Sequence, residues 1–425
     1  DHSLWLLWAA AEYVNATRDR SLLTDSFDYF CEAGRGKCGA GTGLEHLARA
    51  FDYQVGTVGK GAHGLVRLLN SDWDDTLVTA GADSALSHER GESTLNTALA
   101  LVAYPLFAAL AERAEDPALA GRARAEVEAL RPAMEASFKG EFYNRAWVNR
   151  ADGSPIEIGA ENLWLGPNGV ALLAPGIVDD ARAKVLTERF RSDLFEPSPL
   201  GLAAAGAPLT PGLGTAGFWY SLAGPAVEGL ASRNDPAARE LAWKAFLRQT
   251  LAGHAMTYPD IWYGVWSGPD MYLTPIEAPP PGPGAARPGE TWCIVPGLLC
   301  MQDLPVTNMF SHSEPLLSSL RVAGVRVTDA GFVIDPATPL ETFRWSSPVF
   351  SLEYANGEVR GVFTPVGSDT LELRVRPPTG LPAAEAEAFV EGKRVPSRVE
   401  GALLRFTLPV HAGNAATWAV RASAP

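Results

Sequence analysis

Apolar residues recur with helical spacing through most of the first 325 residues of the chain. In an amphipathic helix, apolar side chains three and four positions apart share one face, and this face packs into the core. The pattern predicts nine helices. They span residues 3–16, 43–53, 92–113, 121–137, 162–174, 179–190, 218–232, 236–251 and 313–322.

The pattern changes after Val322 to alternating apolar and polar residues rich in β-branched side chains, as in "FSLEYANGEVRGVFTP". Such alternation is typical of half-buried antiparallel strands. Asn356-Gly357 and Glu391-Gly392 have the composition of two-residue hairpin turns. We therefore predict a helical domain over residues 1–325 and a small antiparallel β domain, resembling a sandwich, over residues 326–425.

The predicted helices follow one another without strands and are joined by alternately short and long loops. This organisation predicts a mainly α fold, an (α/α)6 toroid of helical hairpins with one open face lined by loops. Concave ligand sites form at such faces. The chain opens inside a helical pattern, "DHSLWLLWAAAEYV", so we expect sequence upstream of Asp1 to complete the toroid.

Charge and hydropathy narrow the range of partners. The formal net charge of −14 and a pI near 5.0 oppose binding to nucleic acid or to an anionic membrane. The longest apolar run, residues 98–111, is shorter than a bilayer span and contains Pro105, so we predict a buried helix. A neutral ligand fits this composition, and among compartments the cytoplasm is favoured.

Cysteine and histidine spacing gives no sign of a metal site. Four cysteines, Cys31, Cys38, Cys293 and Cys300, form two widely spaced pairs without a Cys-x-x-Cys motif. None of the seven histidines stands at ligand spacing from another, and no glycine-rich phosphate loop follows a strand. The sequence therefore predicts structural or incidental thiols and neither a metal nor a cofactor.

Residues 70–78, "NSDWDDTLV", are called the acid segment below. They set Trp73 among the carboxylates of Asp72, Asp74 and Asp75. Cleavage of a glycosidic bond needs an acid that protonates the leaving oxygen, and aromatic rings stack on sugars beside it. A solvated acidic turn or a helix N-cap is the structural alternative for this segment.

A second group of aromatic and acidic residues lies in the long loop "YPDIWYGVWSGPDMY", and Trp292 lies in a third loop with Glu314. We predict Trp262, Trp266 and Trp292 as sugar platforms and Asp270 as a substrate-binding carboxylate. Asp260 and Asp270 are also reserve candidates for the catalytic base. Aromatic packing of the loop onto the rim of the helical domain would explain the same residues without a ligand.

The third candidate is Glu314 in "FSHSEPLL", at the start of the last predicted helix. A carboxylate here can serve as a base opposite the acid segment. The alternative is structural: Ser311 or Ser313 caps the helix, and Glu314 is favoured in its first turn by the helix dipole.

Several stretches resemble, in order and spacing, the catalytic region of glycoside hydrolase family 94, the cellobiose phosphorylases. The stretches are "DHSLWLLWAAAEYVNATRDRSLL", "GLEHLARAFDYQVGTVGKGAHGLVRLLNSDWDDTLVTAG", "GESTLNTALALVAYPLFAALAE", "NLWLGPNGVALLAPGIVDDARAKVLTERF" and "GFVIDPATPLETFRW". The resemblance implies an inverting enzyme that acts on β-linked gluco-oligosaccharides. It also implies a homodimer formed through a region that is not in this sequence.

The resemblance implies roles for four residues. Asp75 takes the place of the family's general acid, the last residue of Asp-Trp-Asn-Asp, and Trp73 is the tryptophan of that motif. Asp74 replaces the asparagine and puts a second carboxylate beside Asp75. Like-charge repulsion between the two carboxylates favours a raised pKa of Asp75. Asp1 corresponds to an aspartate that holds the nonreducing-end glucose.

One departure concerns the acceptor. The family's glycine-rich phosphate turn before the last helix is replaced here by "VTNMFSHSEPLLSSLRVAG". "FSHSEP" resembles the turn that carries the catalytic glutamate of glucoamylases, which implies that Glu314 activates water. Hydrolysis is therefore the favoured prediction. Phosphorolysis, with inorganic phosphate as co-substrate, is the alternative, and a noncatalytic carbohydrate-binding relative is the third.

Overall fold

The chain was analysed as a computed structural model. The structure describes residues 1–30, 36–69, 72–74, 76–79, 83–209, 215–250, 271–277, 293–295, 299–300, 309–355 and 357–422.

Each of the nine predicted helical segments contains a helix, with ends shifted by about one turn at most. Two short helices, α2 and α4, add to these. Within the described ranges the helices are α1 (His2–Thr17), α2 (Ser21–Thr24), α3 (Gly43–Asp52), α4 (Ser84–Arg90), α5 (Thr94–Arg113), α6 (Pro117–Ala136), α7 (Leu165–Ala171), α8 (Asp180–Arg189), α9 (Tyr220–Ala231), α10 (Pro236–Gln249) and α11 (Met309–Val322).

The expectation of helices without strands is wrong for the first 300 residues, which contain short strands. A strand of two to six residues is too short for alternation to stand out beside long helices. These strands are β1 (Ser26–Phe30), β2 (Lys37–Thr42), β3 (Val66–Arg67), β4 (Glu92–Ser93), β5 (Ala146–Asn149), β6 (Pro155–Ile158), β7 (Phe218–Trp219), β8 (Met271–Tyr272), β9 (Cys293–Val295) and β10 (Leu299–Cys300). Strands β3 to β6 form one antiparallel sheet in sequence order.

The predicted β-rich C-terminal part is confirmed. Its strands are β11 (Val325–Val327), β12 (Gly331–Ile334), β13 (Phe343–Ser346), β14 (Phe350–Ala355), β15 (Glu358–Phe363), β16 (Asp369–Val375), β17 (Ala386–Val390), β18 (Lys393–Val395), β19 (Ser397–Glu400), β20 (Leu403–Val410) and β21 (Ala416–Ala422). They form a five-stranded sheet, β11-β12-β16-β20-β19, and a six-stranded sheet, β13-β14-β15-β21-β17-β18. All of these pairs are antiparallel except the parallel pair β12–β16.

The predicted turn at Glu391-Gly392 is confirmed, and the strands on either side of Asn356-Gly357 pair as predicted, although Asn356 itself lies outside the described residues. Strands β14 and β15 pair up to Ala355 and Glu358, which leaves a two-residue connection. Glu391 and Gly392 join β17 to β18 with φ of 50° and 72°. Positive φ at both central residues is the requirement of a type I′ turn, whose twist matches that of the strands it joins.

The chain divides into two compact units by its contacts. The first comprises residues 1–4, 53–104 and 125–322, and the second comprises residues 5–52, 105–124 and 323–425. In the first unit, α9 packs against α7, α10 and α11, and all its residues except Glu228 are buried. In the second unit, the buried Arg18 donates to the carbonyls of Thr328 and Asp329. A domain boundary near residue 325 stays a prediction.

Helix α5 is long and apolar enough to meet the criteria for a membrane span, but 83% of the apolar window is buried inside the protein. Pro105 lies within this helix. The prediction of a buried helix is therefore confirmed.

Candidate active site

Asp72, the first carboxylate of the acid segment, is a buried structural group. Arg145 directly precedes β5, and its guanidinium group donates to both carboxylate oxygens of Asp72, with Nη1 3.1 Å from Oδ2. Ser93 of β4 and the backbone N–H of Asp74 also donate to it. Burial opposes ionisation, but the Arg145 charge and these donors hold the pKa of Asp72 below its usual value. Asp72 therefore fixes the acid segment rather than reacting.

Asp74 is also buried, yet only half of its carboxylate is satisfied. Oδ1 accepts hydrogen bonds from the backbone N–H of Thr76 at 3.0 Å and from its hydroxyl at 2.7 Å. Oδ2 accepts none within the described part of the chain. Burial raises the pKa of Asp74 despite the nearby Arg145 charge. A buried oxygen without a donor is uncommon, because buried polar atoms are usually hydrogen-bonded.

Trp73 ties the acid segment to helix α9. Its indole Nε1 donates to the hydroxyl of Ser221 at 3.0 Å. Its ring lies edge to face with Trp219, with centroids 4.9 Å apart. These contacts join residues far apart in sequence and fix the orientation of the half-buried Trp73 ring.

Glu314 lies inside α11, because this helix begins at Met309 rather than at the predicted residue 313. The structural alternative of a first-turn glutamate therefore fails. The Glu314 carboxylate lies against the backbone of α9 at Gly224, where the Cβ of any other residue would overlap Oε2. Oε2 is buried without a hydrogen-bond donor among the described residues, although the residue as a whole is half-buried.

The surroundings of Glu314 favour its protonated form. Burial of the carboxyl, reinforced by the nearby Glu228 carboxylate, raises its pKa to about 8, and the Arg321 charge opposes this shift. Glu228 and Arg321 themselves form an ion pair of 3.0 Å between α9 and α11. The carboxyl group therefore belongs to the class of strongly perturbed acids that are common at catalytic sites.

Helix α9 brings Trp73 and Glu314 to the same side of the first unit. Ser221, which binds Trp73, and Gly224, which contacts Glu314, are three residues apart. Residues at this spacing lie on one helix face, with Cβ positions about 5–6 Å apart. Trp73 and the Glu314 carboxyl group are therefore neighbours along one helix face.

Asp1 also lies near the acid segment. Its backbone nitrogen lies within electrostatic range of the Asp72 carboxylate. An electrostatic effect of this kind requires the two groups to be close.

The structure thus brings together four sequence-predicted site residues, Asp1, Trp73, Asp74 and Glu314. The other predicted site residues, Asp75, Trp262, Trp266, Asp270 and Trp292, lie outside the described residues. Cys38 forms a disulfide, in keeping with a structural thiol. Within the described ranges, no three His, Cys, Asp or Glu side chains are grouped so that they could hold a metal ion.

Sequence reasoning missed Arg145, Ser93, Ser221 and Gly224. Arg145 carried a usable signal, because a basic residue between the apolar positions of "FYNRAWVN" calls for a buried anionic partner. Gly224 lies inside a helix, where glycine is unfavourable without a packing reason. Ser221 and Ser93 carried none, because their roles depend on partners distant in sequence.

The first part of the chain matches a known protein family. Residues 1–208 match the model described as "Glycosyl hydrolase 94 superfamily, catalytic domain". The acid segment, Ser93 and Arg145 lie within the matched residues, whereas Ser221, Gly224 and Glu314 lie beyond them.

Individual relatives were also found. The chain is 27% identical over 210 residues to N,N'-diacetylchitobiose phosphorylase of Vibrio furnissii, an alignment that covers 48% of this chain and 24% of the relative. Among solved structures, a sialidase matches with a TM-score of 0.51 at 11% identity, over 85% of this chain and 30% of the sialidase. An alpha-L-rhamnosidase from Dictyoglumus thermophilum matches with a TM-score of 0.45 at 10% identity, over 89% of this chain and 36% of the rhamnosidase. The chain thus spans less than a third of the first two of these proteins.

Proposed function

We propose that this chain, whose residues 1–208 match the catalytic domain of the glycosyl hydrolase 94 superfamily, cleaves glycosidic bonds in oligosaccharides. Its helices would form an (α/α)6 toroid. The proposed substrates are β-linked gluco-oligosaccharides, and the proposed outcome is inversion at the anomeric carbon. No nucleic acid, membrane or resident cofactor takes part in this proposal.

The observation that carries the proposal is the shared face of α9. Ser221 on this face accepts the hydrogen bond from the Trp73 indole. Gly224, one helical turn away, contacts the Glu314 carboxyl group. Inverting glycosidases need two carboxyl groups about 6.5–9.5 Å apart, with room between them for the attacking group. Asp75 and Glu314 are the pair we propose.

In the proposed reaction, Asp75 protonates the glycosidic oxygen as the bond to the anomeric carbon breaks. Glu314 accepts a proton from the water that attacks the opposite face of the ring. Oδ2 of Asp74 would accept a hydrogen bond from a sugar hydroxyl, and the Trp73 ring would stack on the sugar. Trp262, Trp266 and Trp292 would be further platforms, with Asp1 and Asp270 as polar contacts.

If Glu314 is the catalytic base, its raised pKa predicts how kcat/KM depends on pH. A base must be ionised, and a carboxyl group with a pKa of about 8 is only about one-tenth ionised at pH 7. We therefore expect kcat/KM to fall about tenfold for each pH unit below about 8, because this ratio reports the free enzyme. The measurement is a pH profile of kcat/KM on a gluco-oligosaccharide.

The matched variant for this profile is Glu228→Gln. It removes the like charge that raises the pKa of Glu314 and leaves Arg321 without its partner, so the acid limb is expected to move to lower pH. An acid limb near pH 4 to 5 in the unmodified chain, unchanged by Glu228→Gln, would exclude Glu314 as the base.

Phosphorolysis is the second candidate, and one observation favours it. A carboxyl group that is mostly protonated at neutral pH is a poor base, and attack by phosphate needs no base. The curated relative is itself a phosphorylase. In this case inorganic phosphate would be a co-substrate, and the product would be a sugar 1-phosphate.

The experiment that separates the candidates is product analysis. The chain is incubated with gluco-oligosaccharides in phosphate-free buffer and in buffer with inorganic phosphate. Free reducing sugar without phosphate supports hydrolysis, whereas strict dependence on phosphate and formation of a sugar 1-phosphate replace it with phosphorolysis. Absence of cleavage under both conditions, with oligosaccharide still bound, would leave the noncatalytic binding role.

A further inference from the structure

The sheet formed by β3 to β6 has two faces with different roles. Ala146 and Val148 of β5 pack against Leu68 and Leu77, so this face supports the acid segment. Trp147 alternates with them and pairs across the sheet with Glu92 of β4. Successive side chains of a strand point to opposite faces, so Trp147 and Glu92 lie on the face away from the acid segment.

On that second face lies a cavity of about 510 Å³, called the sheet pocket below. Its lining includes Lys60, His63, Arg67, Arg90 and Trp147. The volume lies within the range of small-molecule sites. Because the β3–β6 sheet separates this pocket from the acid segment, the proposed catalytic reaction does not account for it.

One wall of the sheet pocket is fixed in place by Glu92. This buried carboxylate accepts the backbone N–H groups of His63 and Leu65 and also bonds Nδ1 of His63 at 2.7 Å. The His63 ring stacks on Trp147 with centroids 4.0 Å apart and an interplanar angle of 7°. Gly61 has no room for a side chain, because a Cβ would overlap Glu92. The result is a rigid, flat wall.

The lining carries three cationic side chains, Lys60, Arg67 and Arg90, against two carboxylates, Glu89 and Glu92, whereas the whole chain carries a net charge of −14. Among the described residues, Arg67 donates its hydrogen bonds to the carbonyls of Thr57 and Val58, which are neutral. Arg90 is 57% exposed and meets Glu89 only loosely, at 3.8 Å. A loose surface pair of this kind contributes little, so Arg90 can still bind an anion. Arg67 uses Nε and Nη2 for the two carbonyls, which leaves Nη1 for an anion among the described contacts.

We propose that the sheet pocket binds a small anionic ligand of sugar size. Its carboxylate or phosphate group would pair with Arg67 and Arg90, since guanidinium groups match both anions with paired hydrogen bonds. Its ring would lie against the wall formed by His63 and Trp147.

The test is isothermal titration calorimetry of the full chain with glucuronate, with inorganic phosphate and with glucose as the neutral control. Glucuronate is expected to bind in a way that depends on Arg90, phosphate to bind more weakly because it lacks a ring, and glucose to show no binding that depends on Arg90. Arg90→Met is expected to weaken glucuronate binding at least about tenfold, because it removes a charge-assisted contact. Arg124→Met, an exposed arginine paired with Glu112, is the matched control and should leave binding unchanged.

Three results would overturn the proposal. Glucose binding that Arg90→Met weakens as much as glucuronate binding would remove the anionic character of the ligand. Binding that Arg90→Met leaves intact would assign the ligand to another site, and absence of binding by both anions would leave the pocket without this role. The measurement needs no turnover, so it succeeds or fails separately from the proposed catalytic reaction.

Discussion

Replacing Asp75 with asparagine is expected to lower kcat on a gluco-oligosaccharide at least about a hundredfold. Asparagine has nearly the same shape but carries no proton to give to the leaving oxygen. KM should change little, because the acid acts mainly in the transition state. The measurement is steady-state kinetics of the variant beside the unmodified chain.

The leaving group provides the control for this variant. A nitrophenyl glycoside leaves as a stabilised anion and needs no proton, so the defect of Asp75→Asn should largely disappear on that substrate. Asp152→Asn, at an exposed turn, should behave like the unmodified chain on both substrates. Near-normal activity of Asp75→Asn on the oligosaccharide would end the assignment of Asp75 as the acid, and an equal loss on both substrates would indicate a structural defect.

Replacing Arg145 with methionine is expected to lower the free energy of unfolding by about 3–5 kcal/mol. Both partners of the Arg145–Asp72 pair are almost fully buried, at 1% and 3% side-chain exposure. Removing the cation leaves the Asp72 carboxylate buried with only hydrogen-bond donors around it, and water cannot reach it. Urea-induced unfolding followed by tryptophan fluorescence measures the difference.

The matched control is again Arg124→Met. It removes an ion pair with Glu112 in which both side chains are exposed to solvent. Exposed pairs contribute about 0–1 kcal/mol, so this variant should unfold near the midpoint of the unmodified chain. If Arg145→Met cost no more than the control, the buried pair would not be what holds the acid segment in place.

The Arg145–Asp72 pair also predicts that the stability of the folded chain depends on pH. The pKa of Asp72 is held below its usual value in the folded chain, so the unfolded chain binds the proton more tightly. The contribution of Asp72 to stability is therefore complete above its ordinary pKa and is lost as pH falls through the lowered value. Arg145→Met is expected to remove this part of the acid sensitivity.

The long helices were predictable because their apolar periodicity records burial of one face. The first-unit helix α9 illustrates the limit of this signal. The sequence indicates a helix there, but not that Ser221 receives the Trp73 indole or that Gly224 admits the Glu314 carboxyl. Both contacts join segments far apart in sequence, and local patterns carry no record of such pairs.

The acid segment also shows what the sequence can predict and what it cannot. Its composition indicated sugar chemistry, and the resemblance assigned Asp75 and Trp73. The separate roles of Asp72 and Asp74 became visible only in space: one carboxylate is saturated by Arg145 and Ser93, and the other keeps a buried oxygen without a donor in the described chain. Burial and partners, rather than residue type, distinguish the two.

Proton NMR of the first product tests the central claim most directly. Two carboxyl groups acting on opposite ring faces, without a covalent intermediate, must invert the anomeric carbon. A β-linked gluco-oligosaccharide should therefore release the α-anomer first, which then equilibrates by mutarotation. If the β-anomer appeared first, the assignment of Asp75 and Glu314 as an inverting pair would be contradicted.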